Sequence, residues 1–338
     1  MTANPLSRPL SIGELLDATF RMFRKHFWKL VLTAGGLMFP VSLISNGLQL
    51  MQFQFLGEMM TTATEGGYTP EPPFWFLGAQ GVVGLLSGIV VLITMTAVIW
   101  MADRLLHGES PGVIESWRAG LRFFLRYLAI ILLFALAIVL SMIGLIIVLL
   151  IPCLGAIMLL VGFILYFYLY VRLILTPVAL VVEDCGPIEA IQTAWRTSRG
   201  FFWRIAGYAL LLGLLALVFY LVPLGLMQFF LIANAFEPSN TLLMVSFGMS
   251  TLVSIINILW TPVYLTGLLI LYYDLKLRHR PGTSLEQRIE ALAAEASPVE
   301  TFLSPEPEKL PPGPDAEAIS EPEADTGSTA DDASQGTS

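Results

Sequence analysis

Residues 187–205, PIEAIQTAWRTSRGFFWRI, set the pattern on which the rest of the chain is built, and they lead into a long apolar run. The stretch begins with Pro187, has an acid in its first turn at Glu189, and carries its bases late. Proline at the first helical position and this order of charges both favour a helix. Its apolar and charged residues fall on opposite faces, which is typical of a helix that lies at a membrane surface.

The same pattern occurs near the N-terminus and, in a weaker form, in the middle of the chain. An ungapped alignment pairs Glu14 with Glu189, Arg21 with Arg196, Arg24 with Arg199, and Trp28 with Trp203. The middle copy begins at Glu115 and has its bases at Arg122 and Arg126. We therefore predict three repeated units, each an amphipathic interfacial helix followed by one membrane helix out and one back.

The composition is that of a membrane protein with an acidic tail. Of 338 residues, 56% are apolar and 13% are charged, whereas about 25% of a soluble domain is charged. Residues 281–338 hold 13 acids and 2 bases, and residues 1–280 hold 13 acids and 16 bases. We predict a membrane domain over 1–280. Over 281–338 we predict a short helix and then an acidic, Pro/Glu/Ser-rich disordered cytoplasmic tail.

Six apolar stretches are long enough to cross a bilayer core, which requires about 20 residues. They are residues 30–51, 74–101, 128–150, 155–182, 205–232 and 241–273. All 18 Lys and Arg residues fall on one side of this arrangement, and the loops on the other side carry acids only. The positive-inside rule then predicts a multi-pass membrane protein with both termini in the cytoplasm. Each returning helix ends in acid, at Asp103, at Glu183 with Asp184, and at Asp274.

Two features of the spans bear on their packing. Gly84-x-x-x-Gly88 in the second span predicts the close approach of another helix. Pro177 and Pro262 lie in segments longer than a straight span requires, which predicts kinks at these positions.

The candidate site residues are bases and tryptophans that we expect at the membrane interface, next to anionic headgroups of the inner leaflet. They are Arg21, Arg24, Lys25, Trp28, Lys29, Arg122, Arg126, Arg196, Arg199, Trp203 and Arg204. Arg172 stands apart because it is embedded in an apolar run. If the fourth span starts near Gly155 on the outer side, Arg172 lies roughly 26 Å further along the helix, close to the inner interface. It is therefore either a snorkelling or ion-paired arginine, or a ligand site.

Patterns of catalytic or cofactor chemistry are scarce. His26, His107 and His279 have no second His or Cys at metal-ligand spacing, and no phosphate-binding glycine loop or nucleophile motif occurs. Cys185 precedes a helix start, a position that can lower the pKa of a thiol. We expect no metal, no cofactor and no nucleic-acid partner. The expected partners are membrane lipids and a protein bound by the acidic tail.

Three stretches of the chain carry a family resemblance. They are RPLSIGELLDATFRMFRKHFWKL (residues 8–30), the Gly-Pro, Trp-Arg and Gly-Phe-Phe-Trp-Arg pattern of residues 180–204, and YYDLKLR (residues 272–278). Together they resemble the signatures of the glycerophosphoryl diester phosphodiesterase membrane-domain family. The resemblance implies several membrane helices and a place in a bacterial inner (cytoplasmic) membrane. Some members of that family are fused to a soluble phosphodiesterase domain. The spans and short loops here leave no room for one, so no enzymatic activity is implied.

These features together predict an all-α integral membrane protein with six transmembrane helices. We expect it to be non-enzymatic and to act in lipid interaction or scaffolding. The alternative is a transporter or permease-like component for a small or lipid-like substrate, because repeated units are common in transporters. A lipid-modifying enzyme is a third alternative. The sequence leaves the oligomeric state and the physiological process open.

Overall fold

The structure, a computed structural model, describes residues 10–64, 72–149, 154–236 and 239–279. Within these ranges the chain forms nine α-helices and no β-strand. The helices are α1 (Ile12–Lys25), α2 (Phe27–Thr64), α3 (Phe74–Leu106), α4 (Val113–Leu149), α5 (Leu154–Leu173), α6 (Thr176–Val182), α7 (Pro187–Ser198), α8 (Phe202–Phe236) and α9 (Asn240–His279). The chain divides into two units, Met1–Pro281 and Gly282–Ser338. All described residues belong to the first unit, and the predicted tail lies outside them.

Six helical segments of the described ranges are long and apolar enough to cross a membrane. They are Phe27–Phe55, Phe74–Leu106, Val113–Gly144, Leu160–Val182, Phe202–Ala233 and Thr241–His279. The shortest has 23 residues, and a bilayer core requires about 20. The prediction of an all-helical chain with six span-length apolar helices is therefore confirmed, and the chain is a multi-pass protein of the membrane type.

The three predicted amphipathic stretches that precede the spans, here called the lead-in stretches, join their spans differently. α1 is separated from α2 at His26, whose backbone (φ −118°, ψ 25°) leaves the helix. α7 is separated from α8 by residues that include Gly200 at φ +87°, a conformation that glycine adopts without strain. The prediction of a separate helix is wrong for the middle stretch, because α4 runs unbroken over Val113–Leu149. Between Arg122 and the apolar run, α4 has no glycine or proline that would end the helix.

Proline interrupts one span and not another. In the fourth span, α5 ends at Leu173 and α6 begins at Thr176. Pro177 has no N–H to donate to the carbonyl of Leu173, and its ring crowds that carbonyl, which accounts for the break between α5 and α6. α9, in contrast, continues through Pro262 as a single helix.

The buried core lies at one end of the first unit, where α1, α6 and α7 meet the last third of α9. We call this the base-rich end, because the lead-in bases lie there. Between residues 262 and 275 of α9, all side chains are buried except those of Tyr264 and Tyr273, which are partly exposed. The largest fully buried side chains come from several helices and include Leu15, Ile99, Leu180, Ile205, Tyr208 and Tyr272. α9 is therefore surrounded by protein here, as is typical of a helix at the centre of a core.

The opposite halves of the spans are far more exposed. In α5, residues 160–170 are all exposed except Tyr168, and most of them are apolar. In α4, residues 132–144 are all exposed except Phe134. Large exposed apolar surfaces of this kind mark contact with a membrane or with another protein.

Glycine brings α3 and α4 into close contact. A Cβ added at Gly120 would lie 2.6 Å from the carbonyl oxygen of Ile93, and the Thr96 hydroxyl donates to the Gly120 carbonyl at 3.2 Å. Gly84 and Gly88 have nothing within 4 Å of an added Cβ among the described residues. The close approach that the sequence predicts at Gly84 and Gly88 is therefore not found there.

Candidate functional site

Three consecutive residues near the end of α9, Tyr272, Tyr273 and Asp274, contact all three of the predicted units. Successive helical residues point about 100° apart, so the three side chains reach different neighbours. The Tyr272 hydroxyl donates to Glu183 at 2.8 Å, and the Tyr273 hydroxyl donates to Asp103 at 2.5 Å. Glu183 follows α6 and Asp103 lies in the last turns of α3, so these bonds join the ends of the returning helices.

Asp274 is a fully buried carboxylate with several hydrogen-bond donors around it. Its Oδ1 accepts from the backbone N–H of Leu10 at 2.8 Å. Its Oδ2 accepts from Arg204 Nε at 3.0 Å and from Arg278 Nε at 3.1 Å. Both arginines also donate to the Leu10 carbonyl, so residue 10 is fastened to α8 and α9. A buried charge is tolerated when it is paired and hydrogen-bonded in this way.

Glu183 is paired with Lys276, whose Nζ lies 2.7 Å from its Oε1. Burial raises the pKa of the Glu183 carboxyl, but the hydrogen bonds from Lys276 and Tyr272 outweigh burial, and the pKa lies below its ordinary value. The carboxylate therefore stays ionised at neutral pH and holds α9 against the end of α6.

Asp184 binds two arginines in the first half of α4. Arg122 pairs with its Oδ2, and Arg126 Nη1 lies 2.7 Å from its Oδ1. Asp184 has φ +46°, a left-handed conformation that Asp adopts more readily than most other residues. The lead-in bases of the predicted second unit thus meet the acid that ends its returning helix. Arg204 and Asp274 make the corresponding contact in the predicted third unit.

Arg172 lies at the end of α5, beside α7, in an aromatic environment. Its Nε donates to the Tyr168 hydroxyl at 3.0 Å, and its Nη1 donates to Ser198 Oγ at 3.4 Å. The guanidinium carbon lies 5.1 Å from the centroid of the Tyr168 ring and 5.0 Å from that of Trp195, within the range of cation–π contact. Arg172 forms no ion pair with any described acid. The described residues therefore give no support to the ion-paired alternative for Arg172, which stays a prediction.

The residues predicted at the membrane interface fall into three groups. Arg122, Arg126 and Arg204 are engaged in internal ion pairs, a role that the sequence analysis missed although acids recur at the ends of the returning helices. Arg21 pairs with Asp17 on the surface of α1. The remaining bases form no ion pair with a described residue; they are Arg24, Lys25, Lys29, Arg196 and Arg199. These bases are exposed except for Lys29, which is partly buried, and Trp28 and Trp203 are exposed as well. Trp28 is 72% exposed and Trp203 is 82% exposed.

Comparison with known proteins gives the family of the chain. The model of the Domain of unknown function (DUF7847) matches residues 25–272. The chain belongs to the DUF7847 family. The DUF7847 match includes Asp103, Glu183 and Arg172, and it ends at Tyr272, two residues before Asp274. No curated protein and no solved structure matches the chain.

In this DUF7847 protein, the groups that were considered for chemistry are not brought together within the described ranges. No set of three or more His, Cys, Asp and Glu side chains is placed there to hold a metal ion. Burial raises the pKa of the Cys185 thiol, and the nearby acids Glu189 and Glu183 raise it further. This direction is opposite to the predicted one, and a thiol that keeps its proton is a poor nucleophile.

Proposed function

We propose that this DUF7847 protein is a non-enzymatic protein of the cytoplasmic membrane that interacts with lipids or acts as a scaffold. The observation that carries the proposal is a set of unpaired, exposed bases beside exposed tryptophans at the starts of α2 and α8. This set, the basic–aromatic surface, consists of Arg24, Lys25, Trp28, Arg196, Arg199 and Trp203.

The basic–aromatic surface has the chemistry of a lipid headgroup contact. Tryptophan is enriched at the level of the lipid headgroups, because its ring has an apolar part and a polar N–H. Each Lys or Arg near an anionic membrane contributes about 1 kcal/mol of attraction. Since no described acid pairs with these bases, their charge is available to lipid phosphates.

We also propose that the three units are repeats and that the base-rich end faces the cytoplasm. The equivalent residues Trp28 and Trp203 are both exposed at the start of a span, and two of the units have a lead-in arginine paired with an acid of the returning helix. The excess of bases at this end supports its cytoplasmic orientation. The acidic tail would then be open to a protein partner. The likeness to the glycerophosphoryl diester phosphodiesterase membrane-domain family stays a prediction.

The transporter alternative would require a polar path through the spans. The described spans have a small cleft of about 10 Å³ between α2, α8 and α9, and its mostly apolar lining includes the polar residues Asn46, Gln49, Ser246 and Ser250. That volume is room for about one water molecule. A larger groove of about 190 Å³ between α2 and α9 is lined by Gly35, Gly36 and apolar side chains. These volumes favour lipid interaction over the transport of a polar solute.

Replacement of Arg24, Arg196 and Arg199 by Gln tests the proposal. At about 1 kcal/mol per base, we expect the ratio of anionic to zwitterionic lipid that co-purifies in native-membrane nanodiscs to fall several-fold, as measured by lipid mass spectrometry. The matched control replaces the same three residues by Lys, which keeps the charge and should keep the ratio. An unchanged ratio in the Gln variant would refute the proposal.

A further inference from the structure

We propose that Arg172, together with Tyr168, Trp195 and Ser198, forms a discrete site for a phosphate group, carried by a phospholipid headgroup or by soluble phosphate. This inference rests on the proposed function, because it identifies one lipid-binding position within a surface that contacts anionic headgroups in general. The site is distinct from the basic–aromatic surface, since its arginine is partly buried between two helices.

The first argument is the way in which the guanidinium of Arg172 is held. Its Nε and Nη1 donate to Tyr168 and Ser198, and Ser198 itself is fully buried. The rings of Tyr168 and Trp195 meet edge to face with their centroids 6.2 Å apart, and both flank the guanidinium. The side chain is therefore positioned before any ligand arrives, which reduces the entropy lost on binding.

The second argument is the missing counter-charge. Arg122, Arg126 and Arg204 each pair with a carboxylate, whereas Arg172 pairs with no described acid. A guanidinium has five N–H donors, and the described partners of Arg172 use two of them. The remaining donors can bind two oxygens of one phosphate, the bidentate geometry for which arginine is suited.

The third argument is the apolar surface that leads to Arg172. Along α5, residues 160–170 are exposed except for Tyr168, and the run is made of aliphatic and aromatic side chains with one glycine. An acyl chain that lies along this surface would bring its headgroup to the arginine at the end of the helix. The juxtaposition of an apolar track and an unpaired guanidinium fits a phospholipid better than a free anion.

The experiment compares Arg172→Gln with Arg118→Gln, an exposed arginine of α4 that forms no ion pair with a described residue. Native mass spectrometry of the full-length protein, titrated with phosphatidylglycerol in detergent, counts the lipids that stay bound. A parallel titration with inorganic phosphate in lipid-free detergent, followed by thermal shift, measures phosphate binding. We expect one phosphatidylglycerol to be retained by the wild type and by Arg118→Gln, and at least a tenfold loss of that bound state in Arg172→Gln.

The outcomes separate the sources of the phosphate and the two proposals. Arg172-dependent retention of lipid alone assigns a headgroup, and Arg172-dependent binding of phosphate alone assigns a soluble anion. Equal binding of both probes by the two variants overturns the site. If Arg172→Gln does not give monodisperse protein, Arg172→Met replaces it, since an apolar side chain suits these surroundings. Loss of the single lipid with an unchanged lipid ratio in the Arg24, Arg196 and Arg199 variant would refute the proposed surface and leave the Arg172 site standing.

Discussion

Asp274 and Asp17 both pair with arginine, but their surroundings differ. The Asp274 side chain has no exposed area, and it also accepts a hydrogen bond from the backbone of residue 10. The Asp17 side chain is 65% exposed, and its partner Arg21 is 75% exposed. Removal of one member of a buried ion pair costs about 3–5 kcal/mol, whereas an exposed pair contributes about 0–1 kcal/mol. The two acids therefore form a matched pair for mutation.

We expect Asp274→Asn to lower the free energy of unfolding by about 3 kcal/mol, because a neutral amide leaves Arg204 and Arg278 without a counter-charge. Asp17→Asn should lower it by less than about 1 kcal/mol. Denaturant titration in detergent micelles, followed by tryptophan fluorescence, measures both changes. Similar losses of unfolding free energy in the two variants would contradict the structural role that we assign to the ion pairs of Asp274 with Arg204 and Arg278.

At the scale of single residues, the sequence shows which residues are unusual but not what they contact. Arg172 stands out as a base in an apolar run, yet its aromatic neighbour Trp195 comes from a different helix. Arg122 and Arg126 look like headgroup-facing bases. Their partner Asp184 lies about sixty residues later in the chain, and no local pattern predicts which acid folds back onto them.

At the scale of the helix, two glycines of α4 stand in opposite environments. Gly120 touches α3, where an added Cβ would lie 2.6 Å from the Ile93 carbonyl and 2.9 Å from the Ala97 side chain. Gly144 has nothing within 4 Å of an added Cβ among the described residues. In a helix, alanine is ordinarily more favourable than glycine by about 1 kcal/mol.

The same substitution should therefore have opposite effects at these two sites. Gly120→Ala should destabilise the protein by about 1–3 kcal/mol, because backbone atoms of α3 must move to admit the methyl group. Gly144→Ala should be neutral or stabilising by up to about 1 kcal/mol. Thermal unfolding of both variants in the same detergent gives the comparison, and a stabilising effect of Gly120→Ala would show that α3 and α4 are not packed as described.

Helix existence was easier to predict than helix continuity and contact. Apolar runs of span length fix the six long helices, because a bilayer core requires a minimum length. The glycine at position 200 is a visible stop signal, but α4 lacks one, and its lead-in continues into the span. The Gly84-x-x-x-Gly88 pattern shows where another helix has room to approach, and the topology brings the close contact to Gly120 instead.

At the scale of the whole molecule, the end of α9 joins the returning helices through acids. Burial raises the pKa of the Glu183 carboxyl, but the hydrogen bonds from Lys276 and Tyr272 outweigh burial, and the pKa lies below its ordinary value. In the unfolded chain the pKa of a glutamate is about 4.3. A lowered pKa in the folded state means that ionised Glu183 stabilises the fold at pH values above the unfolded pKa.

This stabilisation should disappear in acid. It is fully present above about pH 4.3 and is lost as the pH falls through the lower pKa of the folded state. We expect the stability difference between the wild type and Glu183→Gln to be constant at pH 5–7 and to shrink below about pH 4. Unfolding midpoints measured across this range give the difference, and a gap that is the same at pH 3 as at pH 6 would exclude the predicted linkage.

The overall organisation was only partly predictable. Charge distribution and apolar length predict a multi-pass helical chain, and the six long helices agree with this. The concentration of the buried core at the base-rich end was not predicted, since it depends on α9 being enclosed by several other helices. Periodicity describes the faces of one helix at a time, so it does not reveal a helix that is covered on every side.

The unbroken α4 has a mechanical consequence. With 37 residues and a rise of 1.5 Å per residue, it is about 55 Å long. Arg122 and Arg126 in its first half bind Asp184, and residues 132–144 further along it are exposed except for Phe134. The breaks at His26 and near Gly200 separate α1 and α7 from the spans that follow them. α4 has no such break, so its apolar span and the two arginines that bind Asp184 belong to one helix, and a change in the tilt of that span would move Arg122 and Arg126 with it.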